Sequence, residues 1–460
     1  MQASFTRRHG LLGALALALL SGCASGPSLE EAPPIVFVHG NGDTAALWLT
    51  TVWRFESNGW PRERLHAIDL PYPLARDADD KPQDGRTSSA EHLQFLSAQV
   101  DKVLRRTGAT RVVLMGNSRG GNAMRNYIAN GAGAAKVSHA ILGGVPNHGV
   151  WANASFRPLS EFNGAGPFLT ALNNQGGPGL ETTPGVKWLT VRSDANDKFA
   201  QPDGVWIGAK GTPTNVTYAG PELRGATNVL VANIDHRETS FGPAAFAAAF
   251  GFITGRKPAR ESAQPESRVV LAGKVSGLGL ENRPGTGNFV NNLPLVGAAL
   301  EVYATDAATG TRLGVPLLRS QIGTDGLWGP LVTNNATPLE FVISANGFAT
   351  THIYRSAFAR SSDLVHLRAE RIAEADRDAG ALVTLTRPRG YFGVPRDQIS
   401  LDGKSPPAGI PSGVAGVSTA RERYADAAVR SVAGEFNGER IVGRTWPVAD
   451  NHVVLLELHD

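Results

Sequence analysis

The sequence has one cysteine in 460 residues, Cys23, so no disulfide can form within the chain. It lacks an uninterrupted apolar run of the roughly 20 residues that span a bilayer. The N-terminal run from Leu11 to Leu20 is about half that length. Charge of one sign is not concentrated anywhere. Lys and Arg number 44 against 41 Asp and Glu, a net charge of +3, and no basic cluster offers a nucleic-acid surface. Charged residues make up 18% and hydrophobic residues 42%, the composition of packed cores and not of a disordered chain. No paired cysteines and no HExxH pattern occur, so neither a metal nor an organic cofactor is expected. The length implies two or three domains.

What is present begins with MQASFTRRHGLLGALALALLSGCASG. Arg7 and Arg8 precede the apolar run, and small residues follow it, the layout of a secretory signal. Leu20-Ser21-Gly22-Cys23 resembles the bacterial lipobox. That resemblance implies that Cys23 becomes the lipidated first residue of an exported protein held at a membrane surface, with Ala24 favouring outer-membrane sorting. Thr6-Arg7-Arg8 also resembles a twin-arginine signal, which leaves the export route open. Residues 24–32 read as a tether.

From 33 to 255, short β-branched runs alternate with helical stretches. The runs are IVFV (35–38), LHAID (65–69), RVVLM (111–115), HAILGG (139–144), VKWLTV (186–191) and TNVLVAN (227–233). Helical spacing marks 91–108, 121–130 and 243–255. This alternation predicts a doubly wound α/β domain with a mostly parallel sheet. RKPARESAQPES (256–267) reads as a linker. From 268 to 370, strands separated by turn signals predict an antiparallel β-sandwich. PLVGAALEVYATDAATG and the DGLWGP turn resemble the transthyretin-like and carboxypeptidase-regulatory sandwich modules. The stretch 371–460 reads as further β-rich structure with a helix over TARERYADAAVRSV (419–432), either a separate domain or part of the sandwich.

VVLMGNSRGGN (112–122) places Ser118 between Gly116 and Gly120, after a strand and before a helix. Small residues two before and two after a serine suit a tight, strained turn that exposes the hydroxyl. IVFVHGNGDTAALW (35–48) runs a strand into His39-Gly40. Together these resemble the nucleophile elbow and HG loop of α/β-hydrolases of the bacterial lipase/esterase type, over residues 33–255. The resemblance implies a Ser-acid-His triad in that chain order. Ser118 is the nucleophile, and the backbone N–H groups of Asn41 and Arg119 form the oxyanion hole. His39 then serves as a turn residue.

Within that order, His139 and His148 come too early, and His352, His366, His452 and His459 lie beyond the linker. His236, after the last strand, remains. Asp197 is preferred as the acid because a Pro follows shortly, with Asp194 as rival. Asp235, adjacent to His236, reads as a loop or surface acid. GGVPNHG (143–149) resembles the loop after the strand that follows the elbow, and GPFLTALNNQGG (166–177) a short helix at the site mouth. Phe168, Leu169 and Trp48 are candidates for an acyl pocket. Asn117 and Arg119 depart from the family pattern. The Arg119 side chain is a candidate either to narrow the pocket or to bind an anionic substrate group.

These features lead to an exported, lipid-anchored serine carboxylic-ester hydrolase acting on lipophilic esters. A polyester depolymerase, an acyl transferase and a surface-binding lipoprotein remain open as alternatives.

Overall fold

The computed structural model describes residues 29–277 and 291–460. The predicted signal, Cys23 and the first part of the tether lie outside the described residues.

Six strands form the first sheet: β1 (Ile35–Val38), β2 (Leu65–Ile68), β3 (Val112–Asn117), β4 (Val137–Gly143), β5 (Lys187–Ser193) and β6 (Thr227–Val231). All five pairings are parallel, in the order β2-β1-β3-β4-β5-β6. β1 and β3 are buried at every residue because both faces of the sheet are covered. Their side chains alternate between two cores. Ile35, Phe37, Val113 and Met115 enter one; Val36, Val38, Val112 and Leu114 enter the other.

Helices cover both faces: α1 (Leu49–Ser57), α2 (Ser89–Thr107), α3 (Arg119–Asn130), α4 (Gly133–Lys136), α5 (Pro167–Leu172), α6 (Glu238–Phe241) and α7 (Pro243–Thr254). Ser88 and Glu91 start α2 with a reciprocal capping box, and Gly108 ends it at φ 69°. Chain order reverses around β1. The C-terminal ends of β1 and β3 therefore open onto a crevice, which is where open α/β sheets place their ligands.

Among the described residues the C-terminal part is β apart from two short 3-10 turns. Its strands are β7 (Val269–Gly277), β8 (Ala299–Ala304), β9 (Leu318–Gln321), β10 (Leu327–Thr333), β11 (Leu339–Ser344), β12 (Thr350–Arg355), β13 (Leu367–Ala369), β14 (Ala381–Thr386), β15 (Ile399–Leu401), β16 (Thr419–Tyr424), β17 (Ser431–Phe436), β18 (Glu439–Arg444) and β19 (His452–Glu457). A seven-stranded sheet, β16-β14-β19-β12-β11-β8-β9, lies between two three-stranded sheets, β10-β7-β13 and β15-β17-β18.

Two expectations change here, and of the two readings of 371–460 the shared sandwich is the one seen. The sandwich is mixed, because β19 pairs parallel with both β12 and β14. That pairing also joins residues beyond 371 to the same sheet, so they are not a separate body. The helix expected over 419–432 is instead β16 and the start of β17. Its residues alternate exposed and buried, and β16 pairs antiparallel with β14. Good helix formers there are overridden by edge pairing and by ion pairs from Arg421 and Arg423 to Asp376.

Candidate active site

Ser118 stands between β3 and α3 with φ 50° and ψ −123°, a strained conformation for a residue with a side chain. The small residues around it are required by contact. A Cβ on Gly120 would come within 2.6 Å of the Val38 carbonyl oxygen, on Gly40 within 3.2 Å of the Ser118 Cβ, and on Gly116 would overlap the Met124 sulfur. Strand, helix and HG loop thus meet at backbone distance around the serine.

The amides of Asn41 and Arg119 donate no hydrogen bond among the described residues. The Asn41 side chain accepts from the Ala75 amide at 2.8 Å, which fixes the loop that presents its N–H. His39 is buried. Its Nε2 accepts from the Leu70 amide at 3.1 Å, so it braces the turn.

His236 follows β6 in a short loop before α6. Its Nδ1 lies 2.9 Å from both carboxylate oxygens of Asp197. Phe199 packs edge-on against its ring at 4.6 Å. Its Nε2 is buried without a hydrogen-bond partner among the described residues. Asp194, the rival acid, turns away and accepts from the Asn233 amide at 3.0 Å. Burial, reinforced by Arg237, pulls the nearby Lys198 ammonium down to about 8.

Ser118, Asn41 and His236 line one cavity of about 220 Å3. Val150, Trp151, Phe162, Phe199, Ile207 and Tyr391 give it an apolar wall. The expected acyl-pocket residues are elsewhere. Trp48 is fully buried 5.1 Å from Phe37, and Leu169 is fully buried in α5; neither they nor Phe168 line this cavity. Helical and strand packing claimed these side chains, and the loops after β4 and β5 supplied the wall.

The Arg119 side chain neither narrows the cavity nor faces it. It is 1% exposed, pairs with Glu161 at 2.7 Å, and donates to the Pro73 carbonyl at 2.9 Å and to the Thr87 carbonyl. It ties the elbow helix to the loops beside it. Asn117, the other departure, donates to Ser240 Oγ at 2.9 Å and to the His236 carbonyl at 3.4 Å, joining the serine turn to the histidine loop.

Asp235 lies in the loop between β6 and α6, as expected, but not at the surface. It is 0% exposed. One oxygen accepts from the amides of Arg237 and Glu238 at the start of α6; the other accepts from Arg387 Nη1 at 2.7 Å and the Tyr391 amide at 2.8 Å. Burial alone would lower the Arg387 guanidinium, and Glu238 and Asp235 more than offset it. Tyr391 and Arg387 belong to the C-terminal region. They were illegible as site residues, since nothing local in the sequence marks contacts 156 positions apart.

Solved structures with a similar course include a mature lipase of Bacillus licheniformis (19% identity, 48% of this chain and 92% of that one, TM-score 0.33). A monoacylglycerol lipase of Paleococcus ferrophilus matches at 13% (48% and 96%, TM-score 0.32). A phospholipase of Legionella pneumophila matches at 12% (74% and 96%, TM-score 0.34). Residues 32–155, which hold the HG loop and the Ser118 turn, match the family model described as lipase (class 2), and residues 267–372 match that described as lipase C-terminal domain. Two parts of the chain, 32–155 and 267–372, are thus similar to class 2 lipases and to lipase C-terminal domains respectively.

Proposed function

We propose that this protein is a lipase-type carboxylic ester hydrolase working through Ser118, His236 and Asp197. The observation that carries the reading is the His236–Asp197 pair: His236 Nε2 has no hydrogen-bond partner among the described residues, and His236 and Ser118 line the same cavity. Ser118 Oγ attacks the ester carbonyl carbon while His236 Nε2 takes its proton. Asp197 keeps the Nδ1 proton in place and stabilises the imidazolium. The amides of Asn41 and Arg119 donate to the tetrahedral oxyanion, each worth about 3 kcal/mol of barrier. His236 returns the proton to the departing alcohol. Water, activated by the same nitrogen, then releases the acid from the acyl-serine.

The apolar part of the cavity wall suits a lipophilic acyl chain, and Arg76, Arg157 and Arg237 line the same cavity. The N-terminal signal and Cys23 support export and lipid anchoring, which would bring the site to lipid substrates at a membrane surface. A panel of short esters, triglycerides and polyester films, run with wild type beside Ser118→Ala, tests the reading. Hydrolysis in wild type should fall by at least ~10^4-fold in kcat in the variant. Undiminished hydrolysis in the variant would remove Ser118 from the mechanism.

A further inference from the structure

The loop that carries His236 is held from two sides. Its own domain contributes Asp197 to the ring, and Thr239 and Asn117 to the His236 carbonyl. The carboxylates flanking it, Asp235 and Glu238, are answered from the C-terminal region. Arg387 spans both, with Nη1 2.7 Å from Asp235 and Nη2 2.6 Å from Glu238. Arg396 adds a contact to Glu238 at 2.8 Å and another to Asp397 at 2.9 Å. Both guanidinium groups also donate to the Tyr391 carbonyl, at 2.8 and 2.7 Å. The Tyr391 amide returns to Asp235. The turn 387–397 is thus folded onto the histidine loop, and the Tyr391 ring forms part of the cavity wall. Lys198 Nζ, next to Asp197 in the chain, sits 3.7 Å from that ring and donates to the Gly416 carbonyl at 2.8 Å.

Adhesion between two domains needs only apolar contact, and burying these charges works against it. A forked cation on two carboxylates adds direction: it fixes where the backbone of residues 235–238 lies. We infer that Arg387 is a positioning residue, which through Asp235 and Glu238 sets the His236 imidazole in register with Ser118 and seats Tyr391 against the substrate. The C-terminal region is then part of the active site's construction. This inference rests on the reading of Ser118 and His236 as nucleophile and base.

The test uses the full chain as wild type, Arg387→Met, Arg387→Lys and Arg430→Met. The last removes a more exposed ion pair, with Asp402, whose residues do not line the cavity. Hydrolysis of a soluble p-nitrophenyl ester gives kcat and KM. Proton NMR gives the far-downfield imidazole N–H signal, assigned to His236 by its loss in His236→Gln. Circular dichroism reports the fold. Arg387→Met is expected to lower kcat about 10^2-fold, the cost of roughly ångström misplacement, with KM within about threefold. The N–H signal should shift or broaden. Arg387→Lys should recover part of kcat, and Arg430→Met should leave rate and signal unchanged.

A folded Arg387→Met with wild-type kcat and an unmoved signal overturns the inference. If Arg387→Met does not fold, Arg387→Lys is read by the same criteria. If neither folds, Arg387 is structural and the inference fails. If wild type itself hydrolyses no ester, the reading of the site fails instead, and the NMR signal alone decides whether Arg387 sets the imidazole.

Discussion

Three positions separate what a side chain is from what it is placed to do. Asp194 and Asp197 share one loop and one chemistry, yet only Asp197 reaches His236, because Asp194 is occupied by the Asn233 amide. Asp197→Asn is expected to lower kcat about 10^4-fold through the wrong tautomer, while Asp194→Asn keeps most activity; steady-state kinetics on both variants checks this. Arg119 carries its charge into the interior, where Glu161 meets it. Arg119→Met should cost about 3–5 kcal/mol of stability, read from urea unfolding, because Glu161 is left buried and unpaired. His139 titrates far from the site. Burial, then Lys187 and Arg111, pulls it down to about 4, whereas in the unfolded chain it protonates near the usual value of about 6.5. The folded state therefore binds fewer protons between these values, and stability falls as pH drops from about 6.5 to 4. The urea midpoint of His139→Asn should fall less over that window than that of wild type.

Element by element, the Ser118 turn depends on its glycines more than on any single hydrogen bond. Gly120 rests against the Val38 and His39 carbonyls, and Gly121 against Val145 in the loop after β4. Backbone cannot retreat as a flexible side chain can. Gly120→Ala should therefore push α3 away from the HG loop and separate the two amides. A loss of about 1–3 kcal/mol in thermal stability is expected, with a larger proportional loss of kcat than of substrate affinity. The glycine spacing in the sequence already pointed to this close approach. The strand at 419–424 was different. Its residues favour a helix in isolation, and only its pairing with β14 makes it extended.

Across the whole molecule, the two lipase-matched segments do not behave as beads on a string. One hydrophobic core contains Phe37, Phe55 and Phe246 from the α/β part and Leu271, Trp328 and Phe341 from the β part. Trp53 in α1 donates to the Ser361 carbonyl at 2.9 Å and packs against Phe358, and Arg389 donates to the Ala46 carbonyl at 3.3 Å. The segment 256–267 is pinned to α1 through Arg54 and Asn58. A chain ending at 267 should expose that shared core and strip Asp235 of Arg387. Such a fragment is expected to be insoluble or to melt well below the full protein in calorimetry, with a poorly active site in any soluble fraction.

Local chemistry determined the six apolar runs and the glycine-framed serine, while the HG loop and the histidine left by chain order came from the resemblance to α/β-hydrolases. The runs and the serine turn depend on hydrophobic period or on steric need within a few residues, and such needs are written in neighbouring letters. Tertiary structure decided the contact between Asp197 and His236, the burial of Asp235 and Arg119, the cavity wall, and the arrival of Arg387 and Tyr391. These depend on which distant surfaces meet. A buried carboxylate next to a histidine is settled by the cation that another part of the chain delivers to it, and no local pattern carries that distance.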